Sequence, residues 1–303
     1  MSSGIRWKWW RSRRLKHPPD DIHRAGDLAE MRLCKLSRAA GRDNGWHIFE
    51  SVRIPDPDGG RREIDMVVIG GNTMLVVEQK HWAGSFVITK EHHFVQHRNN
   101  GTKHNHDGVA DRIARKARIL KALHEKRLSL SEENSIGMRV IVAMTHQRLD
   151  WPEIPGDLAA EMVDEAGFIQ ILETTEPGVM NEHLMETLEG FNTWDEVHLH
   201  GGLMLKGDVF GLGLGGQLRS WFSSRKGPVE ATAEHKRSLL SLFSNNPSEV
   251  TLKTGGKNIV AKIPYGMELE MHVVGEKAPR KINWANITHI SVSKPPADWA
   301  KNV

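Results

Sequence analysis

RREIDMVVIGGNTMLVVEQKHWAG, residues 61–84, holds two short apolar runs around a glycine turn. Met66–Ile69 and Met74–Val77 are rich in β-branched residues, which favour pleated strands. Gly70-Gly71-Asn72 between them is a turn signal, so the pair reads as a β-hairpin. Polar groups stand at its open end: Asp65 begins the first strand, and Glu78 and Lys80 end the second. Strand side chains alternate with a period of two, so Glu78 and Lys80 share a face. An antiparallel partner brings Asp65 close to them. Two nearby carboxylates repel unless a cation lies between them. Oxygen ligands of this kind suit Mg²⁺ or Mn²⁺. A lysine beside them can orient water and meet developing negative charge. The set fits metal-assisted hydrolysis of a phosphodiester. A surface hairpin with a solvated Glu and Lys at its edge satisfies the same spacing.

Asp65 followed by Glu78-Gln79-Lys80 resembles the motif of the PD-(D/E)XK nucleases. The wider text, with Ile64-Asp65, two apolar strands, Glu78-x-Lys80 and Gly84, resembles the nuclease-related domain, NERD. The likeness extends weakly from about Gly26 to about Met144, under half of the chain. It implies a restriction-endonuclease-like α/β/α core with a mixed sheet. It further implies that Asp65, Glu78, the Gln79 carbonyl and Glu30 hold Mg²⁺ or Mn²⁺, with Asp65, Glu78, Lys80 and Glu30 as the catalytic set. Gly26-x-x-x-Glu30 matches the family's helix before the hairpin. The family's Asn-Pro and later Gln are only partly matched. Asn105 fits, His106 replaces the Pro, Val109 falls at the Gln, and His106 and Asp107 are the candidate substitutes.

The whole chain has 303 residues with 39% hydrophobic, 26% charged and a formal net charge of +3, a globular balance. That length allows one large domain or two smaller ones. The weakly basic total neither demands nor excludes nucleic acid. A lone cysteine, Cys34, leaves no internal disulfide and fits a reducing, cytoplasmic setting. It also excludes a cysteine-rich zinc site. The histidines at 92, 93, 97, 104 and 106 are dense enough for a zinc cluster, but the carboxylates argue for a harder ion. No apolar run is long enough to span a bilayer.

Residues 1–24 read as a basic tail in which Trp7, Trp9 and Trp10 interleave with Arg11, Arg13 and other cations. It has no apolar stretch of a secretory signal. Such a tail suits phosphate backbones and stacked bases, an anionic membrane surface, or packing on its own domain. Residues 25–195 read as the nuclease-like core. Leu28, Met31, Leu33 and Leu36 form a loose helical stripe over 24–40. Asp27 and Glu30 stand at capping-box spacing, a role that competes with metal binding for Glu30. A helix over 108–128 presents Arg112, Arg115 and Lys116, which with His106, Arg11 and Arg13 are the candidate nucleic-acid contacts. A solvated basic face explains the helix equally well. Met138–Met144 reads as a buried central strand, and Phe168–Leu172 as a short one. A last core helix follows Pro177. Residues 196–228 read as a Gly-rich hairpin or linker. Residues 229–303 read as a small module: a helix from Val229 to Phe243, then three to five strands. That module is a candidate surface for a protein partner or a second copy.

The expected activity is metal-dependent cleavage of nucleic acid, with DNA the preferred substrate, in repair, restriction or defence. A catalytically silent nucleic-acid-binding or regulatory module on the same fold is the alternative.

Overall fold

The computed structural model describes residues 3–129, 135–214, 222, 225–245, 247–254 and 257–301. Two compact units divide the chain: residues 22–191 with 296–303, and residues 1–21 with 192–295.

The first unit is built on a five-stranded sheet in the order β1-β2-β3-β7-β9. Its strands are β1 (His47–Pro55), β2 (Arg61–Gly70), β3 (Thr73–Lys80), β7 (Gly137–Met144) and β9 (Glu161–Asp164). The expected hairpin is β2–β3, antiparallel, with Met66 opposite Val77 and Gly70 opposite Thr73. β7 runs parallel to β3, Thr73 opposite Gly137 through Lys80 opposite Met144, and β9 runs parallel to β7. The sheet is therefore mixed and covered on both faces. Val67, Ile69, Met74, Val76, Val142 and Met144 pack on Ile113, Ala117 and Leu120 of α3 (Val109–Leu128). Met66, Val68, Leu75, Val77, Ile141 and Ala143 pack on Leu33 and Cys34 of α2 (Asp21–Arg42) and on Phe168 and Leu172 of α4 (Glu165–Thr174). α5 (Glu182–Glu189) adds Leu184 and Leu188 to the α3 side. Met74, Leu75, Val76 and Val77 are all fully buried. Each such side chain is worth roughly 1.5–3 kcal/mol against exposure.

A smaller sheet, β6-β5-β4-β8, stands beside this core. It comprises β4 (Gly84–Ile88), β5 (Phe94–His97), β6 (Lys103–His106) and the short β8 (Leu149–Asp150).

Several local expectations are corrected. The 24–40 helix starts earlier, at Asp21, so Asp27 is internal and the capping box does not form. Its buried side is Ala29, Leu33, Cys34 and Ser37, whereas Leu28, Met31 and Leu36 are exposed. Ala29, Leu33 and Ser37, four apart, form the buried stripe of α2, and the run of Leu28, Met31 and Leu36 misled. Residues 168–172 are helical within α4; a short apolar run does not distinguish a strand from a buried helix.

The second unit is an eight-stranded antiparallel sheet in the order β14-β13-β12-β17-β10-β11-β15-β16. The strands are β10 (Asp195–Leu199), β11 (Met204–Gly211), β12 (Val229–His235), β13 (Ser248–Thr254), β14 (Lys257–Lys262), β15 (Glu268–Val273), β16 (Arg280–Asn283) and β17 (Ile287–Val292). Of the two readings of 196–228, hairpin or linker, residues up to 211 form a hairpin, since β10 and β11 pair antiparallel inside the sheet, while 215–221 and 223–224 lie outside the described residues. The expected 229–243 helix is β12 followed by a 3₁₀ turn at Leu239–Leu242. Alternation at Val229, Ala231 and Ala233, all buried, outweighs helix propensity there. Of the readings open for the tail, packing on its own domain is the one observed. α1 (Ser3–Ser12) puts Trp9 into the core of this sheet. Arg13 is buried, donating to Ser241 Oγ at 2.8 Å and to the Pro247 carbonyl at 3.3 Å. Residues 296–301 leave this unit for the other, where Trp299 stacks edge-on against Phe191 at 5.2 Å.

Gly84 carries a testable consequence. It has φ 92°, and a Cβ there would stand 2.1 Å from the His97 carbonyl oxygen. Both the left-handed backbone and the β4–β5 approach forbid a side chain. Gly84→Ala is expected to cost more than about 2 kcal/mol in urea unfolding.

Candidate functional site

The site forms where β2–β3 pairing stops. Ladder pairs run only as far as Met66 opposite Val77. Glu50–Met66 and Val52–Ile64 pairs bracket Ser51 and Asp65 on the other side, and Ser51 takes φ 47°. Ile64 and Val67, three apart, reach the same core cluster, so strand alternation is interrupted at Asp65. The Gln79 N–H then donates to Asp65 Oδ2 at 2.8 Å.

Glu78 and Lys80 follow Met74 and Val76 on the α3 face of β3. Lys80 Nζ donates to Glu78 Oε1 at 2.7 Å. Lys116 Nζ, from α3, donates to Glu78 Oε2 at 2.8 Å. Each oxygen of Glu78 therefore meets an ammonium, in a place where all three side chains are mostly buried. Gln79 turns the other way, and its amide reaches Thr145 Oγ1 at 3.4 Å. Thr145 in turn donates its N–H to the Lys80 carbonyl at 3.0 Å and lies 3.0 Å from His81 Nδ1. His81 and His146 face one another with ring centres 5.0 Å apart.

The two carboxyls have opposite electrostatic fates. Burial first, and Glu78 second, push Asp65 up to about 7, against the opposing pull of Lys80, the Gln79 N–H and Lys116. Burial alone would also raise Glu78, but Lys80 and Lys116 outweigh it and hold Glu78 below the usual range. Burial pulls Lys80 down, while Glu78, Asp65 and Glu30 together carry it above its ordinary value. Glu30 is thus within electrostatic reach of Lys80.

Of the expected residues, Asp65, Glu78, Gln79 and Lys80 converge, with Glu30 beside them. Lys116 joins as the second cation on Glu78 rather than as a surface contact. His106 lies at the margin, stacked on Trp82 with ring centres 4.1 Å apart and Nε2 3.3 Å from Gln96 Oε1. Burial, then His104 and Lys80, lower its proton affinity. Arg115 pairs with Asp58, and with Asp56 at 3.6 Å, while Arg112 donates to the Asp107 carbonyl. Both arginines are exposed and tied to local acceptors. Arg11 and Arg13 belong to the other unit; Arg11 is exposed, whereas buried Arg13 cannot meet a phosphate. Sequence reasoning missed the partnership of Lys116 with Glu78 and the place of His81. For Lys116 a signal existed: it stands three residues from Ile113 and four from Leu120, at the border of the buried stripe.

Among the described residues no group of three or more His, Cys, Asp or Glu is disposed to hold a metal. The two-carboxylate pair Asp65–Glu78 nevertheless suits one hard cation. Burial first and the Glu78 charge second raise Asp65, and a bound cation would offset both.

The raised Asp65 sets a pH test. A carboxyl that binds its proton more tightly when folded subtracts stability as pH rises between its ordinary 3.8 and about 7. Asp65→Asn keeps an acceptor for the Gln79 N–H and removes the charge. In chelator, the variant is expected to be more stable than the parent at pH 8, by on the order of 1–3 kcal/mol. The gain should shrink steadily towards pH 4, as read by thermal unfolding across pH.

Residues 25–143 match the family model described as the nuclease-related domain, NERD. No curated protein and no solved structure matches the chain.

Proposed function

We propose that the nuclease-related domain at residues 25–143 is a metal-dependent nuclease that hydrolyses phosphodiesters of nucleic acid, with DNA as its preferred substrate. The observation that carries the reading is the convergence of Asp65, Glu78 and Lys80 at one buried strand end, with Lys116 added from α3. Asp65, Glu78 and the Gln79 carbonyl would hold Mg²⁺ or Mn²⁺, with Glu30 reaching it directly or through water. A bound ion of this kind lowers the pKa of its water and offsets charge on a phosphoryl oxygen. Lys80, held against Glu78, orients the attacking water and meets negative charge as it develops. Lys116 is placed to let go of Glu78 and take up a phosphate oxygen. The Gln79 N–H holds Asp65 through Oδ2. Arg112 and Arg115 supply exposed cations on α3 that suit backbone phosphates.

One observation favours the second reading, a nucleic-acid-binding module without catalysis. Both Glu78 oxygens are already neutralised by lysines, so a site of this composition can be stable without an ion.

Single-turnover cleavage separates the two. Linear, circular and single-stranded substrates are incubated with Mg²⁺, Mn²⁺ or EDTA. The parent is expected to cut only with metal. Asp65→Ala and Glu78→Ala should abolish cutting and weaken metal binding while the fold persists. Lys80→Ala should retain metal and slow the chemical step by roughly a hundredfold or more. Parent-rate cleavage by Asp65→Ala and Glu78→Ala would dismiss the site. A salt-sensitive shift of nucleic acid without any cutting would establish the second reading.

Lys116→Met gives a split outcome. Its ammonium competes with a cation for Glu78, so the variant should bind Mn²⁺ more tightly in the absence of nucleic acid. It should also cleave at least about tenfold more slowly. Metal titration beside single-turnover rates reads both effects.

A further inference from the structure

The unit formed by residues 1–21 and 192–295 carries a second feature, independent of the nuclease reading. α1 is stapled to the 238–247 segment by its inner side chains. Trp10 Nε1 donates to the Ser238 carbonyl at 3.1 Å, Arg6 to the Leu242 carbonyl at 3.3 Å, and Arg13 to Ser241 Oγ. Trp9 Nε1 adds a bond to Ser248 Oγ at 3.3 Å. These contacts fix the helix face that turns outward. At 100° per residue, Trp7, Lys8, Arg11 and Arg14 fall opposite Trp9 and Arg13.

Exposed apolar and cationic side chains flank this contact on both α1 and the 236–245 segment. Trp7 is 51% exposed, Leu239 61%, and Leu240 and Phe243 80% each. Trp7 stacks on Trp10 with ring centres 5.2 Å apart, and the Arg14 guanidinium lies 4.7 Å from the Trp10 ring centre. Residues 3–17 carry six Lys or Arg and no acid. Residues 236–245, KRSLLSLFSN, add Lys236 and Arg237, again with no acid. Large apolar side chains left in water within a rim of cations match an interfacial anchor.

We propose that this surface seats the protein on an anionic lipid bilayer, with Trp7, Leu239, Leu240 and Phe243 entering the headgroup–acyl boundary and Arg11, Arg14, Lys8 and Lys236 meeting anionic headgroups. The composition decides between lipid and single-stranded nucleic acid. Bases stack on aromatic faces, but Leu239 and Leu240 have none to offer. Hydrocarbon receives aliphatic and aromatic side chains alike. Attachment of this kind needs no spanning helix, and none of the described helices is long and apolar enough to cross a membrane. The bound state is reversible, because one apolar cluster with a basic rim gives moderate affinity that salt weakens.

The test is sedimentation of the full chain with phosphatidylcholine vesicles and with mixed phosphatidylcholine–phosphatidylserine vesicles. Binding is expected to the anionic vesicles, falling with added salt, and at least about tenfold weaker to the neutral ones. Leu240→Ser with Phe243→Ser should reduce binding to anionic vesicles at least about tenfold. Arg11→Glu with Arg14→Glu should reduce it and flatten its salt dependence. Both pairs are exposed, and unchanged thermal unfolding checks that the unit is intact. No binding to anionic vesicles, or equal binding by intact variants, overturns the proposal. So does loss of oligonucleotide binding in the Leu240/Phe243 variant with vesicle binding unaffected, which would assign the surface to nucleic acid.

Discussion

The candidate site depends on how far β3 can be covered. Helices close both of its faces, and β2 and β7 close both of its edges, so residues 74–77 have no route to water. Charge can enter only at the strand's last residues. There the β2 ladder ends, and the N–H of Gln79, which would continue it, is redirected to a carboxylate. The interruption at Asp65 and the end of the hairpin are thus one event. Period two then divides the terminal residues, sending Glu78 and Lys80 towards α3 and Gln79 towards Thr145.

That arrangement makes two chemically similar residues unequal. Asp65 sits deep, with one backbone donor and a neighbouring negative charge. Glu78 sits between two ammoniums. A pair pushed apart in this way holds its proton on one member and its charge on the other. The asymmetry comes from neighbours on three elements, β2, β3 and α3, so it is a property of the fold rather than of the Glu-x-Lys string.

Most of this centre was legible because it is local. The β-branched runs 66–69 and 74–77, their glycine turn and the spacing of Asp65, Glu78 and Lys80 are all read within one hairpin. Met138–Met144 was legible as a central strand because it is apolar at every position but Arg139. What escaped was set by distant contacts. Lys116 reads as one cation among several on α3, and only the helix packing turns it towards Glu78. Leu28, Met31 and Leu36 suggest a buried stripe, yet the close fit of α2 to the sheet favours Ala29, Leu33 and Ser37. The tail sequence left packing on its own domain as one reading among several and did not single out Trp9 and Arg13, since the atoms that receive them belong to Ser241, Pro247 and Ser248. Glycines at 201–216 read as a hairpin or a linker; β10 and β11 do pair as antiparallel neighbours, and what stayed hidden was their place inside a wider sheet, set by β17 and β15 later in the chain.

The burial of α1 has a bearing on biosynthesis. Trp9 and the serine that accepts its indole N–H are separated by 239 positions. At ordinary elongation rates, translation takes on the order of ten to fifty seconds to bring that serine out of the ribosome. Through that interval the most aromatic and most basic segment of the protein is a nascent chain without its seat. The intervening 22–191 segment can meanwhile assemble its sheet, save for the terminal strip with Trp299. A chaperone that recognises basic, aromatic segments would therefore find its target while residues 22–191 are being made and lose it once Ser248 has emerged.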